Sequence, residues 1–331
     1  MSIVEQLMDG ADRLLDKTMV LNASRVGYWL REPAWDPADT WVSMRGKVCL
    51  VTGANSGLGR VVSTRLAGLG ARVYLLCRNA ERGRRAQREI VDRTQNPDVF
   101  LEIVDISRPA SIRAFVERFG AAEERLDVLV NNAGVFMPER QVTAEGLELT
   151  FATNTLGPFL LTNLLLTALH RSNSARIVNV SSSAMYFAKL NADDPQFVQR
   201  PYLGALAYAE SKRAGVELTQ RWARQLQGTG IAVHAMHPGW ADTPTAWDAV
   251  PSLATPIRPL LRTPEQGADT LLWLAVNPRL TASDGGQFWF DRRTRPTHRF
   301  GFGQSSEAER ESFWHLCRRL AGCSPETAAV H

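Results

Sequence analysis

The run Val48-Cys49-Leu50-Val51-Thr52-Gly53-Ala54-Asn55-Ser56-Gly57-Leu58-Gly59 passes from an apolar stretch through three glycines into a helix-forming segment. Glycine at 53, 57 and 59 lets the chain turn sharply, bring its backbone against a pyrophosphate and pack the next helix closely on a sheet. A helix starting near Gly57 aims free N–H groups and the positive end of its dipole at phosphate. A glycine trio alone is weak, because glycine also marks ordinary turns. Its place after a strand and at the start of a βαβ unit makes it a dinucleotide-binding signal, with Gly53, Asn55, Ser56, Gly57, Leu58 and Gly59 as the candidate phosphate cradle.

Outward from that run the alternation continues. Strands are expected at Val48–Thr52, Arg72–Cys77, Val99–Asp105, Val128–Asn131, Arg176–Val180, Ala232–Met236 and Gln287–Phe290. Helical stretches such as Gly57–Leu69, Glu81–Arg93, Pro109–Phe119 and Tyr208–Gln227 separate most of them. Strands that alternate with helices of this length imply parallel βαβ units with right-handed crossovers. Unbroken apolar runs such as Val128–Val130 suit strands covered on both faces. The expectation is a Rossmann-type, doubly wound α/β fold with a mostly parallel sheet of about seven strands. Residues 47–290 would form the catalytic domain, with an arm at 1–46 and a C-terminal extension at 291–331 carrying a helix near Ser306–Leu320.

The arm opens with Ile3, Val4, Leu7, Met8, Leu14 and Leu15 at helical spacing. Its polar face is acidic, which disfavours a membrane interface and favours packing on the domain or a partner. Trp29, Trp35 and Trp41 are the expected anchors of an irregular, proline-containing arm. No apolar run reaches the ~20 residues of a membrane span. No secretory signal is evident at the N-terminus, and with Cys49, Cys77, Cys317 and Cys323 lacking metal-ligand spacing a reducing cytoplasmic setting is expected. Peripheral membrane contact and homo-oligomerisation stay open. No metal site is expected.

Of 38 basic residues, 34 are Arg and only four are Lys: Lys17, Lys47, Lys189 and Lys212. The Arg-rich stretch 78–93 has acids among its cations and no aromatic, so it reads as a solvated helix face and argues against nucleic-acid binding. Its first member has a sharper reading. Where NAD-binding versions of this fold place an acid for the ribose 2′-hydroxyl, the second strand here ends in Arg78. A guanidinium there suits the 2′-phosphate of NADP(H), with NAD(H) the weaker alternative. Asp105 and Ile106, after the third strand, are placed to meet adenine, although Asp105 could instead cap the following helix.

Four further pieces follow in order. Asn131-Asn132-Ala133-Gly134 closes the fourth strand, and Asn154 sits early in a long helix. Val180-Ser181-Ser182-Ser183 closes the fifth strand, and Tyr208-Ala209-Glu210-Ser211-Lys212 opens the next long helix. Tyr208 and Lys212 are i and i+4, so they share a helix face. A free phenol titrates near 10. An ammonium ~4–5 Å away at an effective dielectric of ~20 favours the tyrosinate by roughly 3–4 kcal/mol, enough to make Tyr208 a useful acid or base.

The ordered set of glycine-rich turn, N-N-A-G, helix Asn, Ser and Y-x-x-S-K resembles the short-chain dehydrogenase/reductase family over nearly the whole chain. His237 to Pro244, Gln266 to Thr270 and Phe290 to Arg292 extend the resemblance toward one vertebrate branch of it. The resemblance implies an oxidoreductase that moves a hydride between a nicotinamide cofactor and a carbonyl or alcohol. It implies catalytic roles for Asn154, Ser182, Tyr208 and Lys212. Lys212 would also bind the nicotinamide ribose, and Asn154 would hold a water in a proton relay. Asn132, Ala133, Gly134, Pro238, Gly239 and Thr243 would meet the cofactor, Thr243 at the nicotinamide amide. The family register selects Ser182 over Ser183.

Between Ser182 and Tyr208 lie 25 residues. Met185, Tyr186, Phe187 and Leu190 in that insert, with Trp240, Trp247 and Leu253, could line an apolar pocket for a lipid, steroid or retinoid-like substrate, or form the core of a lid. The competing functional class is an NADP(H)-binding sensor or interaction protein with vestigial catalysis. Such a protein usually loses the Tyr or the Lys, and both are present.

Overall fold

A computed structural model describes residues 18–243, 258–299 and 303–323. The described residues contain an eight-stranded sheet in the order β3-β2-β1-β4-β5-β6-β7-β8. The strands are β1 Val48–Thr52, β2 Arg72–Cys77, β3 Val99–Ile103, β4 Val128–Asn131, β5 Arg176–Val180, β6 Ala232–Met236, β7 Phe288–Phe290 and β8 Arg293–Arg295. Neighbours from β3 to β7 pair in parallel, and β8 alone is antiparallel, folded back on β7. This is the expected Rossmann-type sheet with one strand more. The addition is a tight hairpin at Asp291 and Arg292, both with φ above +50°, which no glycine or proline announces.

Helices cover both faces. They are α1 Met19–Ala23, α2 Arg25–Arg31, α3 Gly57–Gly68, α4 Ala80–Thr94, α5 Pro109–Ala122, α6 Leu149–His170, α7 Gly204–Gln225, α8 Pro264–Val276 and α9 Glu307–Leu320. Every residue of β1 is buried, and successive side chains go to opposite layers. Val48 and Leu50 join the core under α5, α6 and α7, while Cys49 and Val51 join the core under α3 and α8. The C-terminal α9 completes the first core: Trp314 packs edge-on against Phe159 of α6 at 4.9 Å.

Three expectations change. The segment 149–170 is long and apolar enough to cross a membrane by composition, but 72% of its most apolar window is buried inside the fold, as α6. Helix α7 begins at Gly204, one turn before Tyr208, and a Cβ at Gly204 would come within 2.3 Å of the Met137 carbonyl oxygen. Trp29 and Trp41 do not anchor the arm; they are 55% and 79% exposed. The anchors are Trp35, edge-on to Tyr28 at 5.0 Å and under the Arg292 guanidinium at 4.7 Å, and buried Arg31. The expected helix at Ile3 to Leu15 lies outside the described residues. All four cysteines are free.

Candidate active site

The sheet order reverses at β1, between β2 and β4, and a cleft of about 650 Å³ opens there at the carboxyl ends of the strands. Open α/β sheets bind ligands at this switch point. Gly53, Asn55, Ser56, Gly57, Leu58, Arg78, Asp105, Ile106, Asn132, Ala133, Gly134, Ser182, Tyr208, Lys212, Pro238, Gly239 and Thr243 all line it. Gly59 and Asn154 do not.

Gly59 acts by closeness instead. A Cβ there would approach the Gly53 carbonyl oxygen to 2.4 Å and Asn132 Nδ2 to 2.6 Å. That contact seats the start of α3 on the turn after β1, which itself needs φ +67° at Gly53. Thr52, which sequence reasoning left out, ties the two cofactor loops together. Its hydroxyl accepts the N–H groups of Asn132 and Ala133, both at 2.9 Å.

Arg78 is exposed at the tip of β2 and makes no ion pair among the described residues. Arg82, one turn along α4, lines the same end of the cleft and likewise makes no ion pair among the described residues. Asn79 accepts the Arg82 N–H at 2.9 Å and caps the helix between them. Arg60 and Arg85, by contrast, are engaged by Glu89. Asp105 does not cap α5; its carboxylate accepts the backbone N–H and hydroxyl of Ser107 at 3.0 and 2.7 Å.

At the other end the end of β5 separates three serines. Ser181 is buried and donates its hydroxyl to the Lys212 carbonyl at 2.9 Å. Ser182 turns into the cleft, caps the 3₁₀ turn Ser183–Phe187 through the Ala184 N–H, and its hydroxyl acts to lower the pKa of the Tyr208 phenol. Ser183 donates its N–H to Nδ1 of buried His237, whose pKa burial pushes down to about 3, so that imidazole stays neutral.

Lys212 lies one turn below Tyr208, its Nζ 5.6 Å from the ring centre and 2.9 Å from the Val180 carbonyl oxygen. Burial lowers the lysine to about 8. Burial raises Tyr208 above the usual phenol value, with the Ser182 hydrogen bond opposing it. Desolvation outweighs that effect, the expected lowering by Lys212 is not found, and Tyr208 stands as a protonated phenol. Phe136 meets its ring edge-on at 5.9 Å.

Asn154 sits behind this pair, in a π-helical segment Ala152–Leu156 of α6. Its Oδ1 accepts the Val135 N–H at 2.8 Å, and its Nδ2 donates to the Val135 carbonyl at 2.9 Å and Ser211 Oγ at 3.0 Å. The Ser211 hydroxyl in turn donates to the Tyr208 carbonyl at 2.7 Å. Both amide hydrogens are thus spent on protein, leaving only an Oδ1 lone pair for any water.

The apolar insert divides. Met185, Tyr186 and Leu190 are buried in the core, whereas Phe187 is 51% exposed and lines the cleft with Trp240. Trp247 and Leu253 lie outside the described residues. Phe136, Ala184, Ala205 and Leu261 line the cleft as well, and were not anticipated.

A doubly wound sheet with Ser, Tyr and Lys converging beside a glycine-rich turn defines a nicotinamide-dependent oxidoreductase scaffold, and comparison with known proteins agrees. The family model for short chain dehydrogenases matches residues 47–253, and the chain belongs to the short-chain dehydrogenase/reductase family. It is 41% identical over 299 residues to dehydrogenase/reductase SDR family member 12 of Bos taurus, covering 90% of this chain and 93% of that protein. It is 40% identical over 291 residues to retinol dehydrogenase 12 of Mus musculus, covering 86% and 89%. Among solved structures, the NADP active-site complex of RhlG from Pseudomonas aeruginosa superposes with a TM-score of 0.57 at 27% identity, over 73% of this chain and 95% of that one.

Proposed function

We propose that this chain interconverts an apolar carbonyl compound and its alcohol with NADP(H), using Tyr208 as the acid/base. The observation that carries the reading is the convergence of Ser182, Tyr208 and Lys212 on one cleft, with the Lys212 ammonium one turn below the phenol. The residues fit a dinucleotide: the turn at Gly53 and Gly59 has no room for side chains, and Arg78 with Arg82 offers a 2′-phosphate two guanidiniums that make no ion pair among the described residues. A bound nicotinamide supplies or accepts the hydride. The chain's own groups handle the oxygen. Tyr208 donates its phenol proton as the carbonyl oxygen gains charge, and Ser182 donates a hydrogen bond to that same oxygen. The ammonium of Lys212 stabilises the phenolate that results. Asn154 positions Val135 and Ser211 around them. Phe136, Phe187, Trp240 and Leu261 give the substrate end an uncharged wall, which favours apolar substrates such as lipids, steroids or retinoids; the retinol dehydrogenase name of one relative points the same way.

The test is oxidation of NADPH followed at 340 nm against a panel of apolar ketones and aldehydes, with NADH in parallel. Turnover of at least one with NADPH preferred is expected. Binding without turnover across the panel would favour a cofactor-binding role instead.

A further inference from the structure

The loop after β6 forms one wall of the cleft through Pro238, Gly239, Trp240 and Ala241, yet what holds its backbone comes from distant parts of the chain. Trp240 donates its N–H to the Ala23 carbonyl of the arm at 2.8 Å. Arg262 donates its N–H to the Trp240 carbonyl at 2.7 Å, and Asp242 donates to the Arg262 carbonyl at 2.8 Å. Beneath the loop, the Arg262 guanidinium pairs Asp291 through two contacts of 2.5 and 2.9 Å. It also donates to the carbonyls of Ser24 and Asn22, both at 3.1 Å. Arg31 reaches the same Asp291 carboxylate at 2.7 Å and the Asn22 side chain at 2.5 Å.

The Arg262 and Asp291 side chains are 2% exposed and that of Arg31 6%. Burying two cations and one anion costs desolvation that hydrophobic side chains of the same volume would avoid, so stability alone is a poor reason for the network. What it supplies is geometry. Gly239, at φ +78°, lies against the guanidinium so closely that a Cβ would meet Arg262 Nε at 2.4 Å. The planar fork acts as the floor on which the loop is laid, and four directed hydrogen bonds leave it one orientation.

We propose that Arg262, Asp291 and Arg31 are positioning residues that make residues 22–31 part of the cofactor site, by fixing the Gly239–Ala241 backbone against the nicotinamide end of the cleft. This rests on the reading of the cleft as an NADP(H) site. A purely structural role in docking the arm predicts something different, and the arm has a second attachment to compare. Asp39 accepts from Trp273 Nε1 at 3.0 Å and pairs Arg279 at 3.3 Å, without touching the loop.

The experiment titrates NADPH by its fluorescence against full-length wild type, Arg31→Met, Arg262→Lys and Asp39→Asn, each at a temperature where circular dichroism shows it folded. Amide exchange at Trp240 and Asp242 is followed without cofactor. Arg31→Met keeps the Arg262–Asp291 fork, so it serves should Arg262→Lys not fold. Arg31→Met and Arg262→Lys are expected to weaken NADPH roughly tenfold, the scale of a misplaced site, and to speed exchange at both amides. Asp39→Asn should lower the melting temperature and leave affinity within about twofold. With a substrate, the loss should appear in KM for NADPH more than in kcat. Unchanged affinity and exchange in both arginine variants would overturn the proposal, as would an equal loss in Asp39→Asn. A wild type that binds no NADPH would refute the cofactor reading, while the exchange rates would still report whether the network holds the loop.

Discussion

Ser181 and Ser182 are neighbours of the same type, and the strand end sends one hydroxyl to the back of α7 and the other to the Tyr208 phenol. Position, not residue type, creates the site. The same holds for Lys212, whose burial costs it charge stability: its folded pKa of about 8 lies below the ordinary 10.5. Between those values the unfolded chain holds the proton more tightly, so this group's contribution to stability rises with pH through that window. Activity should move the other way if, as proposed, the ammonium steadies the Tyr208 phenolate. The apparent kcat/KM for NADPH is expected to fall as pH rises through about 8, and a profile flat to pH 10 would argue against the lysine's role. Tyr208→Phe should keep fold and cofactor binding and lose roughly 10²–10⁴ in turnover. Lys212→Arg is the sharper variant. In a chain that writes Arg almost everywhere, it would be harmless on the surface, but here the planar fork has no room beneath the tyrosine. Lost activity with weaker NADPH binding is expected, and a fully active Lys212→Arg protein would refute the assignment.

Helix α6 departs from α geometry where it carries Asn154, and the sequence contains the cause. Pro158 has no N–H to give the carbonyl of residue 154 and its ring crowds that turn, while the Gly157 N–H bonds back to the Ala152 carbonyl across a widened turn. The widened segment turns Asn154 toward Val135, where its amide meets both polar groups of one peptide neighbour. Asn154→Asp keeps the shape but replaces two donated hydrogen bonds with oxygen facing oxygen. A loss of several kcal/mol in stability is expected from the orphaned Val135 carbonyl and the buried charge, with activity lost as well; thermal denaturation and turnover check both. Motif order singled out the residue, but its bonding was not legible, because the π segment depends on Pro158 and on the close approach of Gly157 to the Ile106 carbonyl. The strands were legible because continuous apolar runs have few other uses. The β7–β8 hairpin was hidden, since Asp291 and Arg292 take left-handed backbone under tertiary pressure. Two of the arm's three tryptophans, Trp29 and Trp41, misled for a related reason. Size suggested anchoring, but the Arg31–Asp291 pairing that docks the arm joins residues 260 positions apart.

Across the whole molecule, a dinucleotide in the cleft would touch β1, β2, β4, β5, β6 and α7 at once, so binding should stabilise the fold as a unit. A ligand at about 100 times its Kd adds about 2.7 kcal/mol. For 331 residues, with unfolding entropy of about 2.1 cal/mol/K per residue, that corresponds to a melting shift of about 4 °C. The 2′-phosphate is the only chemical difference between NADPH and NADH, and on the proposed reading it would sit where Arg78 and Arg82 are exposed and make no ion pair among the described residues. NADPH is therefore expected to raise the melting temperature more than NADH at equal concentration. Arg78→Ala should weaken NADPH by ~1–3 kcal/mol, the scale of a charge-assisted hydrogen bond, and leave NADH unchanged. Arg82→Ala should do the same more weakly if the two guanidiniums share one phosphate, and the double variant should bring the two cofactors level. Thermal shifts with both cofactors across the four proteins decide the matter. Equal shifts in the wild type would reject the NADP(H) preference, and a loss of NADH binding in Arg78→Ala would show that the arginine supports the site's shape instead of reading the phosphate.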